Sequence, residues 1–179
     1  MNDSFSLPVA PASSPELALR TAPFRVGVGY DSHRLETGRR LILGGVEVPF
    51  DKGLAGHSDA DVLLHAIGDA LCGAAGLPDI GQMFPDDEAR WKDADSRHLL
   101  SVMVNRVLDS GWKIGNVDAV LIAQQPKIAP FVPAMREIIA GLLQVSTDDV
   151  NVRGKTAEGM GALGAGEGMA CHAVCLLWK

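Results

Sequence analysis

Apolar residues recur along the chain with two different spacings, and the segments are bounded by glycine, proline and aspartate. Short or alternating apolar segments are typical of strands, and apolar positions three and four residues apart are typical of helices. The short segments predict strands at Phe24–Tyr30, Leu41–Leu43, Val46–Phe50, Val117–Ala123, Val150–Arg153 and Met169–Trp178. Gly27 and Gly29 indicate that another part of the backbone comes close to the first strand. Gly44 and Gly45 predict a two-residue hairpin turn.

Longer segments with helical spacing predict helices at residues 58–76, 95–109 and 130–143. Ser58 or Asp59 is the expected N-cap of the first helix, and Gly76 is its expected end. On that helix His57, Asp61 and His65 would be four residues apart and would form one stripe.

Strands dominate the first part of the predicted chain, and helices then alternate with strands. This order predicts an α+β fold, a two-layer sandwich in which one mixed sheet is covered on one face by helices. Residues 1–23 are rich in Ser, Pro and Ala and lack the basic start and apolar core of a secretory signal. We therefore expect a flexible N-terminal extension at 1–23 and a single domain at 24–179.

The composition excludes several classes of protein. The chain has 179 residues, of which 47% are hydrophobic and 21% charged, so it can form a folded domain with a substantial core. A formal net charge of -6 gives no basic surface for nucleic acid. No apolar run approaches the roughly 20 residues of a membrane span. Cys72, Cys171 and Cys175 form no C-x-x-C pair, which favours structural cysteines in a reducing cytoplasm.

Asp31 and His33 form a D-x-H pair on an extended segment, so both side chains would point to the same face of a strand. With His65 from the predicted helix, they could provide three ligands to zinc and leave a fourth position open. A capping or surface role for the D-x-H pair, and a buried structural histidine at 65, are the alternatives. The spacing alone leaves these interpretations open.

Other segments also carry polar groups suited to a phosphorylated substrate. Residues 77–86 form a loop with two carboxylates, which could hold sugar hydroxyls or could simply end a helix. Residues 123–128 leave a buried strand and turn at a proline, where backbone groups could contact a base. Residues 155–159 combine a cation, a hydroxyl and an acid, a set suited to phosphate and a divalent ion. The glycine-rich segment 164–168 lacks the lysine and Ser/Thr of a phosphate-binding P-loop.

Taken in order, the motifs of this chain resemble those of the 2-C-methyl-D-erythritol 2,4-cyclodiphosphate synthase family. The resemblance runs from about Arg25 to the C-terminus, and it is carried by GYDSHRL, LILGGVEVP, GHSDADVLLHAIGDAL, GLPDIGQMFPD, DSRHLL, NVDAVLIAQQPK and VNVRGKTAEG. It implies a lyase of the non-mevalonate isoprenoid pathway. This activity converts 4-diphosphocytidyl-2-C-methyl-D-erythritol 2-phosphate to the cyclic diphosphate and releases CMP by metal-assisted intramolecular phosphoryl transfer.

The resemblance also implies roles for individual residues. The zinc ligands would be Asp31, His33 and His65, and Glu158 would hold a second divalent ion, magnesium or manganese. The substrate-binding residues would be His57, Ser58, Asp79, Gly81, Phe84, Asp86, Ala123, Gln124, Gln125, Pro126, Lys127, Ile128 and Thr156. His57, Thr156 and Glu158 would be the catalytic residues. The resemblance implies a cytoplasmic homotrimer whose active sites lie between subunits.

The chain departs from the commonest family pattern at Lys155, where many members have threonine, and at Ala165, where many have arginine. We expect Asp61 to orient a zinc-bound histidine, because ligating histidines usually donate their second N–H to an acceptor. Two rival interpretations are a zinc hydrolase that uses the same three ligands and a trimeric protein that stores metal without catalysis.

Overall fold

The computed structural model describes residues 23–179, so the predicted extension lies outside the described residues except for Pro23. The strands are β1 (Phe24–Thr37), β2 (Leu41–Leu43), β3 (Val46–Val48), β4 (Lys52–Leu54), β5 (Lys113–Ile122), β6 (Val150–Lys155) and β7 (Gly168–Trp178). The helices are α1 (Val62–Ala75), α2 (Ile80–Met83), α3 (Ser96–Asp109), α4 (Val132–Leu143) and α5 (Gly161–Gly164).

Five strands form one sheet in the order β4-β1-β7-β5-β6, and β2 and β3 form a separate hairpin. Only β5 and β6 run parallel in the larger sheet, while β1 pairs antiparallel with both β4 and β7. The prediction of an α+β fold with one mixed sheet is therefore confirmed. The short elements β4, α2 and α5 were not predicted from the sequence.

The predicted start of the first helix is wrong. Ser58 and Asp59 precede the helix, which begins at Val62 with Asp61 as its N-cap. Ala60 has a φ of 56°, a left-handed conformation that ends any continuous helical backbone at this point. His57 and Asp61 therefore do not lie on a helical stripe with His65.

Helix α1 packs unusually close to β1, as the two strand glycines predicted. A Cβ atom on Gly27 would lie 1.9 Å from the carbonyl oxygen of Ala70, and one on Gly29 would lie 1.9 Å from that of Ala66. No side chain fits in either position, so glycine is required at both. The close approach brings His65, one residue before Ala66, next to the second half of β1.

The predicted hairpin turn at Gly44 and Gly45 is also confirmed, and both residues have positive φ. The backbone N–H groups of both glycines donate to the Asp61 carboxylate, at 2.9 and 2.7 Å. Asp61 also accepts hydrogen bonds from the N–H groups of Leu63 and Leu64. One fully buried side chain thus joins the hairpin to the start of α1.

The face of β1 opposite α1 is largely apolar and uncovered in the single chain. Its exposed residues are Phe24, Val26, Val28 and Tyr30, joined by Val174 and Trp178 from β7. The strand register makes four of them two cross-strand pairs, with Phe24 opposite Trp178 and Val28 opposite Val174. None of the helices between residues 23 and 179 is both long and apolar enough to cross a membrane.

Candidate metal centre and adjoining cavities

The strand geometry of β1 places Asp31 and His33 on the side of the sheet that faces α1. They follow Gly27 and Gly29 at alternate positions, so all four residues point toward the helix. His65 projects from the first turn of α1 toward the same point and is buried. The predicted convergence of Asp31, His33 and His65 is observed.

The three ligand atoms form a compact triangle. Asp31 Oδ2 lies 2.9 Å from His33 Nε2 and 3.0 Å from His65 Nδ1, and the two histidine nitrogens are 3.3 Å apart. In a tetrahedral zinc site with bonds of about 2.0–2.1 Å, ligand atoms are separated by about 3.3 Å. A zinc ion would fit if two edges of the triangle opened by a few tenths of an ångström. Of the residues the structure describes, only this cluster brings three such ligands together.

The charges within the triangle favour an ionised carboxylate. Burial raises the pKa of Asp31, but hydrogen bonds and charge interactions with His33 and His65 outweigh it and hold that pKa well below its ordinary range. Burial lowers the pKa of His65, and the interaction with Asp31 more than compensates, so the pKa of His65 is raised. The backbone N–H of Ser32 donates to the other oxygen of Asp31 at 2.8 Å, which fixes the carboxylate.

The cluster of Asp31, His33 and His65 opens into a cavity of about 300 Å³. Its walls include most of the predicted residues for this side of the substrate, namely His57, Ser58, Gly81, Phe84 and Asp86. The sequence did not single out Gly56, Ile80, Trp91 or Leu99, which also line it. Trp91 packs edge-on against Phe84 with ring centroids 4.9 Å apart.

Asp79 lies at the start of α2 but does not line this cavity. Its carboxylate caps the short helix by accepting the backbone N–H of Gln82 and also accepts the side-chain N–H of Gln82. These hydrogen bonds lower the pKa of Asp79. Any contact of Asp79 with a ribose would have to be made from this exposed position at the start of α2.

Asp61 does not orient His65, and that prediction is corrected. Both of its oxygens are occupied by four backbone N–H groups, and burial raises its pKa to about 6 despite those donors. The partner of His65 Nε2 is instead Ser96 Oγ, at 2.8 Å. Ser96 in turn lies 2.5 Å from an oxygen of Asp59.

Neither Ser96 nor Asp59 was assigned this role from the sequence. Asp59 was expected to cap α1, but its carboxylate accepts from the first residue of α3 instead. Asp69 of α1 accepts the backbone N–H of Ile80 at 2.8 Å and so holds α2 against α1. The motif DSRHLL contains Ser96, but nothing in its spacing indicates a contact with a histidine 31 residues away.

A second cavity of about 390 Å³ lies at the ends of β5 and β6. Its lining includes the predicted residues Ala123, Gln124, Pro126, Lys127, Ile128 and Thr156. Gln125 is not part of this lining and faces a neighbouring depression with Gln124. The Gln125–Pro126 peptide bond is cis, and the turn there is preceded by the hydrogen bond from Ala123 N–H to the Lys155 carbonyl.

Glu158 lies on the exposed turn after β6 and lines neither cavity. Its carboxylate accepts a hydrogen bond from the Thr156 hydroxyl. The backbone of Glu158 has a φ of 51°, in the left-handed region. Glu158 is not part of the Asp31, His33 and His65 cluster. The two cavities share no lining residue, so the groups predicted for one active site form two separate surfaces on a single chain.

Three comparisons place this geometry among known proteins. The model of the YgbB family matches residues 24–178. A 2-C-methyl-D-erythritol 2,4-cyclodiphosphate synthase from Laribacter hongkongensis is 59% identical over 153 residues, which is 86% of this chain and 94% of the relative.

Solved structures agree with the sequence relatives. The bifunctional IspDF from Campylobacter jejuni superposes with a TM-score of 0.84 at 38% identity, over 87% of this chain and 42% of that chain. A CDP-bound structure of 2C-methyl-D-erythritol-2,4-cyclodiphosphate synthase has a TM-score of 0.79 at 38% identity, over 86% of this chain and 99% of that one.

Proposed function

The chain belongs to the YgbB family, and we propose on that premise that it forms 2-C-methyl-D-erythritol 2,4-cyclodiphosphate from 4-diphosphocytidyl-2-C-methyl-D-erythritol 2-phosphate. The reaction releases CMP, so the protein is a phosphorus–oxygen lyase of the non-mevalonate isoprenoid pathway. The observation that carries the proposal is the convergence of Asp31, His33 and His65 at the wall of a cavity sized for a small substrate.

The chemistry needs positioning more than proton transfer. An oxygen of the 2-phosphate attacks the β-phosphorus, the bond from that phosphorus to the bridging oxygen breaks, and CMP leaves with that oxygen. The nucleophile is already ionised, so no general base is required. Because both reacting groups belong to one molecule, holding it in a curled conformation could contribute ~7 kcal/mol or more to lowering the barrier.

The first cavity would hold the methylerythritol end of the substrate. His57 and Ser58 would lie beside its phosphate, and Phe84 and Asp86 would line the same cavity. A zinc ion held by the three ligands would neutralise charge on phosphate oxygens. His57 Nε2 lies 3.2 Å from the carbonyl oxygen of Glu88, a contact that keeps the imidazole at the cavity wall.

The second cavity would hold the cytidine end. Its apolar floor and the backbone groups of residues 123–128 suit the flat face and polar edge of a cytosine. Asp79 and Gly81, which lie beside the first cavity, would reach the ribose from the metal side of the site. Thr156 would contact the diphosphate, and Glu158 would hold the second divalent ion, magnesium or manganese. The CDP-bound solved relative supports a cytidine nucleotide as the ligand class.

A homotrimer would bring the two cavities together. One chain keeps them as separate surfaces, so a complete site needs the metal side of one subunit and the cytidine side of another. The uncovered apolar face of β1 and β7 supports this assembly, since Val28 is 72% exposed and Phe24 56% exposed in the single chain. We place the trimer in the cytoplasm, which suits the three unpaired cysteines of each chain.

Phosphorus NMR of the candidate substrate, incubated with purified protein, zinc and magnesium, tests the proposal directly. The expected products are CMP and a cyclic diphosphate that retains both remaining phosphorus atoms. A zinc hydrolase would instead release inorganic phosphate, and that product would overturn the proposal. Unchanged substrate in the presence of bound zinc would overturn it as well.

A further inference from the structure

The two ring nitrogens of His65 have different surroundings. Nδ1 points to the metal cluster, at 3.0 Å from Asp31 Oδ2 and 3.3 Å from His33 Nε2. Nε2 points into the protein and lies 2.8 Å from the hydroxyl oxygen of Ser96. A neutral histidine carries one ring proton, so the group that meets Nε2 decides which nitrogen can bind a metal.

Ser96 can only accept from His65, because its own proton is used elsewhere. Its oxygen lies 2.5 Å from Asp59 Oδ1, and an ionised carboxylate only accepts hydrogen bonds. The hydroxyl therefore donates to Asp59, and its lone pair faces His65 Nε2. That direction requires the proton of His65 on Nε2 and leaves Nδ1 with a free lone pair.

Alternative partners for Nε2 are weaker. Ser58 Oγ is 3.4 Å away, and it accepts the backbone N–H of Ala60 at 3.1 Å. The backbone N–H of Ser96 lies 3.3 Å from both oxygens of Asp59, so that carboxylate is fixed by two groups of one residue. Ser96 is only 1% exposed, which shields this chain of hydrogen bonds from water.

We infer that Asp59 and Ser96 are positioning residues for the metal centre, which hold His65 with the proton on Nε2 and Nδ1 ready to bind zinc. Carboxylate or carbonyl partners commonly orient ligating histidines, and here a serine hydroxyl transmits the effect of the carboxylate. The inference rests on the proposed metal site. It adds that α3, through its first residue, controls a ligand that belongs to α1.

The start of α3 offers a matched control. Asp95 is the N-cap of α3, accepts the backbone N–H of Arg97 at 2.8 Å and forms an exposed ion pair with its side chain. Asp95 therefore stabilises the same helix end without reaching His65. Asp95→Asn should lower the stability of the protein by about 1 kcal/mol or less and leave zinc binding unchanged.

The test measures zinc affinity by competition with a chromophoric chelator, together with the visible spectrum of the cobalt-substituted protein. Ser96→Ala and Asp59→Asn should each weaken zinc binding about 10- to 100-fold and change the cobalt spectrum. Ser96→Ala should have the larger effect, because an asparagine at 59 still offers one neutral acceptor oxygen. Thermal unfolding of the metal-free proteins identifies any variant that has lost its fold. If one variant is unfolded, the zinc affinity of the other variant is the test.

The outcomes separate this inference from the proposed function. If wild-type protein binds zinc and both variants bind it within about twofold of wild type, the positioning role is overturned while the metal site stands. If Asp95→Asn weakens zinc binding as much as Ser96→Ala, the effect belongs to the helix end and the inference fails. If the wild-type protein binds no zinc, the inference fails together with the metal site, and CMP release then tests the activity separately.

Discussion

A Cβ atom placed on Gly29 would lie 1.9 Å from the carbonyl oxygen of Ala66, so the strand that carries two of the proposed metal ligands touches the helix that carries the third. Position 29 therefore sets the distance between Asp31 and His65. The contact involves backbone on the helix side, which cannot rotate away as a side chain could. A packing requirement of the fold and a geometric requirement of the metal centre coincide at this glycine.

Gly29→Ala should destabilise the protein by about 3 kcal/mol or more, because α1 must move away from β1 to admit the methyl group. The same movement should separate His65 from Asp31 and weaken zinc binding. Urea unfolding and a zinc titration measure the two effects. Gly73→Ala is the matched control, since its Cβ would have its nearest contact at 3.9 Å, and in a helix it should be neutral or stabilising by up to ~1 kcal/mol. Equal stability of the two variants would contradict the argument.

The sequence was sufficient to predict this contact and the three proposed ligands that depend on it. Asp31 and His33 could be assigned to one face because strand periodicity is local, and the two glycines indicated a close neighbour. The helix start was misplaced because Ser58 and Asp59 are as good N-cap residues as Asp61. The choice among them is made by Gly44 and Gly45, whose N–H groups reach Asp61 from a distant hairpin.

Asp31→Asn should reduce zinc affinity at least about 100-fold and abolish CMP release, because it removes the one charge that both histidines share. The side chain keeps its size, so the fold should be retained. Zinc content after dialysis and circular dichroism check the two statements. Asp109→Asn, an identical change on an exposed residue at the end of α3, should bind zinc like wild type. Full zinc occupancy in Asp31→Asn would refute the ligand assignment.

In metal-free protein, the Asp31–His65 pair should make stability depend on pH in both directions. The lowered pKa of Asp31 gives stability that is present above about pH 4 and is lost as the pH falls toward its folded value. The raised pKa of His65 gives stability that is complete below about pH 6.5 and is lost as the pH rises through its folded value. Thermal unfolding in chelator should show greatest stability between these limits.

In the metal-free protein, His65→Gln should remove the loss of thermal stability at alkaline pH and retain the loss at acid pH. Zinc binding has the opposite dependence on pH, since Nδ1 must be free of its proton to act as a ligand, so zinc affinity should rise with pH in the same range. A metal-free stability curve that matches that of His65→Gln above pH 6.5 would show that no ion pair forms.

The residues that sequence reasoning could not supply are those whose roles depend on pairs far apart in the chain. Asp59 and Ser96 are 37 residues apart, and neither is unusual in its own segment. Trp91 lines the first cavity only because the segment between α2 and α3 folds back over it. Residue spacing likewise does not show which cavity each group belongs to, and only the family resemblance implied that one active site draws on two subunits.

Asp61→Ala should destabilise the protein by about 3 kcal/mol or more, because it removes a helix cap and leaves buried N–H groups of the hairpin without an acceptor. Asp61→Asn should have an intermediate effect, since Oδ1 alone serves Gly44, Leu63 and Leu64 while only Gly45 loses its acceptor. Folded Asp61→Asn should bind zinc within a few-fold of wild type, in contrast to Asp59→Asn. A strong loss of zinc affinity in Asp61→Asn would restore the orienting role first expected for it.

If active sites form between subunits, two inactive variants should restore activity when they share a trimer. Asp31→Asn damages only the metal side and Thr156→Ala only the cytidine side, and these residues line different cavities. In trimers mixed at random from equal amounts, roughly one quarter of sites combine two intact sides, so CMP release should return to about that fraction of wild type. A mixture of Asp31→Asn with His65→Gln should stay inactive, because both changes damage the same side. Mixed trimers that form, as shown by two affinity tags, yet remain inactive would mean that each site is built within one chain.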